Sequence, residues 1–267
     1  VPELPEVETI RQKLVPYVQD RVVTEAWADP AEKFQAAQEL TGAQIGELRR
    51  LGKYLIFELD DGREMVAHLG MTGAFLVVPE TKQLDVSHIR ARWTLDDGNQ
   101  LAYRDIRRFG RLRVVPAGCY DTAPTLSSQG PDALSEAFTA EVLYYGLRRS
   151  RRLLKTQLLS QRPVAGLGNI YADEALWEAR IAPTVKQLSQ RRCEALYAAI
   201  KEVLDRALEC GGTTLRDYRM PDESTGYFQR ELKCYGRAGE PCLRCGEPLR
   251  RKVLDARSTC WCPKCQK

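Results

Sequence analysis

Apolar residues recur at helical spacing almost from the first position. Leu4, Val7, Ile10 and Leu14 form one stripe with polar residues between them. Pro5 suits a first helical turn, and Glu6 and Glu8 complement its positive end. The period then shortens. Ile89, Ala91, Trp93 and Leu95 alternate with Arg90, Arg92 and Thr94, as a half-buried strand requires. Strands are predicted over 21–28, 43–50, 54–59, 64–69, 74–78, 89–95 and 111–115. Asp60-Asp61-Gly62 and Asp96-Asp97-Gly98-Asn99 serve as hairpin turns. Seven short strands in succession suggest a sandwich.

Pro116, Gly118, Pro124, Gly130 and Pro131 make 116–131 the one extended breaker-rich stretch, which reads as an interdomain linker. Beyond it the helical period returns over 132–146, 151–160, 169–179 and 188–209, and Gly211-Gly212 ends the last helix. The expected fold class is α+β and multidomain: a β-sandwich with a leading helix over 1–115, a helical domain over 132–233 and a cysteine-bearing module over 234–267.

Composition changes the picture in two respects. A hydrophobic content of 43% and a charged content of 28% are ordinary for a globular chain, but the net charge of +4 hides an asymmetry. Residues 1–147 carry 16 Lys/Arg against 22 Asp/Glu, whereas residues 148–267 carry 24 against 14. A basic second half suits an anionic polymer, although solubility alone also accounts for it. There is no basic-then-apolar leader and no long uncharged apolar run, so a cytoplasmic protein without a membrane span is expected. Nothing in the pattern calls for an obligate oligomer, and a monomer is expected.

The nine cysteines are the second respect. Cys242-Leu243-Arg244-Cys245 and Cys262-Pro263-Lys264-Cys265 give C-x2-C-x16-C-x2-C. Each pair places two thiolates on one tight knuckle, and two knuckles complete a tetrahedron around one Zn²⁺. Four protein ligands leave no open position, so the ion is structural. Cys260 is a competing ligand in principle; Cys262 has the paired spacing. Cys119, Cys193, Cys210 and Cys234 lack metal spacing and read as buried thiols.

Other candidates are individually weak. Pro2, exposed as a terminal residue, would be a secondary amine with a pKa of about 8, hence partly unprotonated at neutral pH, and Glu3 beside it could move protons. Taken alone, this stretch is a capped surface helix. Lys53 follows Gly52 at a strand start. His68-Leu69-Gly70-Met71-Thr72-Gly73 sets a methionine between glycines, and Arg104–Gly110 reads as a charged hairpin tip. Arg148, Arg149, Arg151, Arg152 and Lys155 read as a basic helix face. In Val164–Glu174 two glycines precede a helix that Asn169 is placed to cap. Residues 216–226 read as a flexible loop.

Pro2-Glu3-Leu4-Pro5-Glu6-Val7-Glu8 resembles the opening of the bacterial formamidopyrimidine-DNA glycosylases, and the other motifs occur in the family's order along essentially the whole chain. The Pro-Glu-Leu start is typical of that branch; its endonuclease VIII relatives usually begin Pro-Glu-Gly. The resemblance implies a DNA glycosylase and AP lyase that excises oxidised purines from damaged double-stranded DNA. In it Pro2 is the nucleophile, Glu3 moves protons, Glu6 orients the terminus, and Lys53 and Arg257 assist elimination. Met71, Arg107 and Phe109 would fill the gap left by the everted base. His68, His88, Arg149, Arg151, Asn169 and Tyr235 would contact the DNA backbone, and loop 216–226 would close over the base. One departure is that Val1 precedes Pro2; the expectation is that it stands for an initiator residue removed on maturation. Two alternatives stay open: an endonuclease VIII-like enzyme for oxidised pyrimidines, and a non-catalytic zinc-ribbon DNA-binding protein should the terminus be blocked.

Overall fold

Leu4–Val18 forms helix α1, and the stripe read from the sequence is its buried face, with Leu4, Val7, Ile10 and Leu14 wholly inaccessible to solvent. The computed structural model describes residues 2–214, 221 and 224–267. It divides into two units: Val1–Pro124 with Gly211–Tyr227, and Thr125–Cys210 with Phe228–Lys267.

In the first unit α1 is followed by β1 (Val23–Ala28), the short helix α2 (Glu32–Gln35), β2 (Ile45–Leu51), β3 (Tyr54–Leu59), β4 (Arg63–His68), β5 (Gly73–Val78), β6 (Ile89–Leu95), β7 (Gln100–Asp105) and β8 (Arg111–Pro116). Two antiparallel four-stranded sheets result, ordered β1-β6-β7-β5 and β2-β3-β4-β8. Phe57, Phe75, Trp93 and Tyr103 belong to the core that the two sheets share with α1, and the Phe75 ring lies 5.4 Å from Phe57 and 5.1 Å from Tyr103.

Among the described residues of this unit, eight strands form where seven were expected. The additional one, β7, buries Leu101, Ala102 and Tyr103 in succession, so it shows no alternation, and Arg104-Asp105 disguises its end as a charged turn. The segment Gly211–Tyr227, assigned from sequence to the helical half, groups with the first unit instead. A physical tie is the Thr213 N–H, which donates to Glu6 Oε1 at 2.6 Å.

Helix α3 (Pro124–Ser127) lies at the boundary, inside the stretch read as a linker. The second unit contains α4 (Ala140–Arg148), α5 (Leu154–Leu159), α6 (Asn169–Glu178), α7 (Gln190–Glu209) and a hairpin of β9 (Arg250–Leu254) with β10 (Arg257–Trp261). The helix expected from 132 begins only at Ala140. Asp132 Oδ1 accepts the Leu134 N–H and makes a local turn, and Thr139 Oγ1 caps α4 through the Val142 N–H. Helix α5 likewise starts at Leu154 rather than 151. Among the described residues no helix is long and apolar enough to cross a membrane.

Candidate active site and nucleic-acid interface

At the N-terminal end of α1, Pro2 and Glu3 are buried. Glu6, in the first turn, accepts the Glu3 N–H on Oε2 at 2.7 Å and the Thr213 N–H on Oε1. Both of its oxygens therefore hold backbone, and the carboxylate fixes the entry of the chain into the helix. Gly212, at φ +81°, passes so close that a Cβ there would sit 2.7 Å from Glu6 Oε1. Farther along α1, Glu8 takes Arg11 and the buried Arg50 (2.7 and 2.9 Å). Those guanidinium groups outweigh burial and hold its carboxyl below the usual range. Val1, residue 215, and residues 216–220 and 222–223 of the expected loop 216–226 lie outside the described residues.

Lys53 is half-buried and precedes β3, whose first residue, Tyr54, pairs with His68 at the end of β4. The Tyr54 and His68 rings lie 4.8 Å apart. His68 Nδ1 accepts the Gly70 N–H at 3.2 Å, which leaves Nε2 as the protonated nitrogen. Burial, then the cations of Lys53 and Arg111, push its pKa down to about 4. At neutral pH His68 is thus an uncharged donor. His88 is exposed at the start of β6, and its carbonyl accepts the Asp105 N–H.

The two loops holding Met71, Arg107 and Phe109 are brought together. Met71 and Phe109 are exposed, and the Arg107 guanidinium lies 4.9 Å from the Phe109 ring centre. Gly70, at φ +61°, abuts the other loop: a Cβ there would meet the Phe109 carbonyl carbon at 2.4 Å. Neighbouring Arg108 faces elsewhere, bound by both Asp29 oxygens at 3.0 and 3.1 Å. Its carbonyl accepts from Lys33 Nζ. Sequence reasoning missed Asp29, Thr72 and Asp105, because a lone carboxylate or hydroxyl carries no spacing signal. What reads as a hairpin tip is a braced loop.

In the second unit Arg149 and Arg151 are exposed at the end of α4. Lys155 does not belong to that basic face: it is fully buried, 2.6 Å from Asp173, and donates to the Ser258 carbonyl and Thr259 Oγ1. Burial drives the Asp173 carboxyl up to about 7 against the pull of Lys155. Asn169 was expected to cap α6, but Gly168 occupies the cap. Asn169 instead donates from Nδ2 to the Ser258 carbonyl at 3.0 Å, and its Oδ1 is buried without a hydrogen-bond partner. Asn169 is thereby fastened beside Arg257, which is exposed at the start of β10. Tyr235 is set by Glu174, whose carboxylate accepts the N–H groups of Lys233, Cys234 and Tyr235 at 2.7–2.9 Å.

Cys242, Cys245, Cys262 and Cys265 bring their sulfurs within 4.8 Å of one another, and Cys245 and Cys262 are 3.5 Å apart. A tetrahedron with Zn–S near 2.3 Å needs sulfurs roughly 3.7 Å apart, so the set fits Zn²⁺. The first cysteine of each knuckle receives backbone N–H groups from the residues two and three positions on, which suits a thiolate. Cys260 is buried beside this set but outside it; burial pushes its thiol up. Cys193, Cys210 and Cys234 are buried as expected, whereas Cys119 is exposed.

Comparisons with known proteins agree along the whole chain. Residues 1–112 match the formamidopyrimidine-DNA glycosylase N-terminal domain, 129–219 its H2TH domain, and 239–267 the zinc finger found in FPG and IleRS. The chain belongs to the formamidopyrimidine-DNA glycosylase family. It is 45% identical over 271 residues to the enzyme of Thermus thermophilus, covering 100% of this chain and 98% of that one. With the enzyme of Deinococcus radiodurans it shares 39% over 279 residues, covering 100% and 97%. The crystal structure of the Thermus thermophilus MutM (FPG) protein superposes with a TM-score of 0.91 at 45% identity over 99% of this chain and 98% of that one. A Lactococcus lactis FPG mutant in complex with Fapy-dG-containing DNA superposes at 0.90, with 35% identity and all of both chains covered.

Proposed function

We infer that this protein is a base-excision repair enzyme that removes oxidised purines, 8-oxoguanine and formamidopyrimidines, from duplex DNA and then cleaves the strand. The observation that carries this reading is a proline at the buried N-terminal end of α1, next to the carboxylate of Glu3, in a chain whose relatives carry the formamidopyrimidine-DNA glycosylase name throughout.

The chemistry requires the Pro2 nitrogen to be a free secondary amine. Its lone pair attacks C1′ of the deoxyribose, the C1′–N bond breaks and the base departs, with protons supplied and removed by Glu3. Ring opening leaves an iminium between Pro2 and C1′. That cation acidifies the C2′ proton, whose loss expels the 3′ phosphate; a second elimination expels the 5′ phosphate, and water releases the proline. Lys53 and Arg257 steady the departing phosphates by charge. Glu6 orients the terminus through the two backbone N–H groups it holds. Met71, Arg107 and Phe109 occupy the gap in the duplex, with Arg107 at the orphaned base. His68, His88, Arg149, Arg151, Asn169 and Tyr235 bind phosphates. Zn²⁺, held by the four cysteines, supplies folding energy to the β9–β10 module and takes no part in bond breaking. The enzyme acts as a monomer in the bacterial cytoplasm.

Borohydride trapping tests the reading. Wild-type protein should become covalently linked to DNA carrying 8-oxoguanine opposite cytosine, and Pro2→Gly should not. Preference for thymine glycol over 8-oxoguanine would point to a pyrimidine-specific enzyme. No covalent adduct with any lesion would leave only a DNA-binding protein.

A further inference from the structure

The side chain of Asp105 is completely buried at the end of β7. Its two oxygens are divided between two loops. Oδ1 accepts the Thr72 hydroxyl at 2.6 Å, from the loop that carries Met71, and Oδ2 accepts the Gly110 N–H at 2.7 Å, from the loop that carries Arg107 and Phe109. Thr72 Oγ1 is itself the acceptor for the Arg107 N–H at 2.9 Å. The hydroxyl is therefore used in both directions, as donor to Asp105 and acceptor from Arg107.

Everything around this carboxylate restricts it. The Asp105 N–H donates to the His88 carbonyl, and the Asp105 carbonyl accepts from Arg90 Nε. Gly73 pairs with Asp105 across the β5–β7 register. Gly70 and Gly110 let the backbones close on each other, because a Cβ at either would collide with the Phe109 carbonyl carbon at 2.4 Å or with Tyr103 Oη at 1.8 Å. Asp29 and Lys33 brace the far side through Arg108.

We propose that Asp105 and Thr72 form a latch that makes the two loops one rigid body, so that Met71, Arg107 and Phe109 enter the duplex as a single wedge. Both are positioning residues: neither reaches DNA, and they act through the three side chains they align. The proposal rests on the reading of those three as gap-filling residues. Rigidity matters because filling the gap offsets the cost of unstacking only if the side chains arrive already ordered; loops that must be ordered on the DNA lose part of that gain. Charge-assisted hydrogen bonds inside the protein suit this task, being short and poorly screened.

The latch is needed to open the stack, not to break bonds, and that separates it from a merely structural role. The probes are a duplex with 8-oxoguanine opposite cytosine and a 2-aminopurine beside the lesion, and a single-stranded oligonucleotide with an abasic site. The second has no base to evert and no partner to displace. Thr72→Val keeps the shape and removes the hydroxyl; Thr72→Ala serves if the valine variant does not fold, and Thr72→Ser restores the group. The expected result is a loss of roughly tenfold or more in kcat/KM on the duplex, with a slower rise in 2-aminopurine fluorescence. Borohydride trapping on the single strand should be unchanged, and Thr72→Ser should recover duplex activity. Equal losses on both substrates, or none on either, overturn the latch while wild-type trapping stands. Failure of the wild-type protein to trap on either substrate removes the functional reading and the latch with it.

Discussion

Glu6 and Thr213 are separated by 207 positions in the chain, yet the Thr213 N–H donates to Glu6 Oε1 at 2.6 Å. The other Glu6 oxygen holds the Glu3 N–H, so one buried carboxylate joins the start of α1 to the segment after α7. An amide at this position keeps one acceptor and turns a donor toward the second N–H. Glu6→Gln should cost about 1–3 kcal/mol of unfolding free energy, measured by urea denaturation, and should slow borohydride trapping. Stability equal to that of the parent would show that the two N–H groups do not depend on the carboxylate.

Two glycines with positive φ separate backbone strain from steric collision. Gly62 (φ +82°) has open space where a Cβ would go, whereas Gly70 (φ +61°) faces the Phe109 carbonyl carbon. Gly62→Ala should cost about 1 kcal/mol, the ordinary price of a left-handed alanine. Gly70→Ala should cost at least ~2 kcal/mol more, because a backbone must move. Equal melting temperatures for the two variants would contradict the packing of the two loops.

His68 gives a pH dependence of known sign. Its native pKa, about 4, lies below the unfolded value of about 6.5, so between these limits the unfolded chain binds more protons. The stability that neutral His68 contributes is complete above pH 6.5 and is lost as pH falls toward 4. Unfolding free energy should drop over that window, and His68→Gln should flatten the drop. A variant as pH-sensitive as the parent would assign the effect to another group.

Being uncharged, His68 should release no counterion when it meets a phosphate. Arg257→Gln should reduce the slope of log affinity against log salt by about 0.9. His68→Gln should weaken binding without altering the slope. Fluorescence anisotropy with abasic-site DNA at several salt concentrations makes the comparison, and a reduced slope for His68→Gln would mean that the imidazole is charged when bound.

Metal analysis should find one zinc per chain. Cys245→Ser should lose it and make the stretch around β9–β10 sensitive to protease, since ligand binding and folding of such modules are coupled. Cys260→Ser should keep the full complement, because Cys260 lies outside the sulfur set. Loss of zinc in that variant would make Cys260 a ligand.

Local periodicity determined much of this protein: helix α1 and its buried stripe, seven of the eight strands of the sandwich, the cores of α4 to α7, and the four zinc ligands. Each is legible because its signal repeats at a fixed spacing that the backbone itself imposes. Tertiary structure decided the rest. Strand β7, buried without alternation, becomes a strand only between β5 and β6. Lys155, one of five cations in a basic run, is withdrawn from solvent because Asp173 waits for it. Asn169 gives up its expected cap for the Ser258 carbonyl, 89 positions away. Asp105 and Thr72 meet across 33 residues. None of these partners has a periodic relation to the other: a carboxylate in a sequence does not say which donors will surround it, and only the folded chain supplies them.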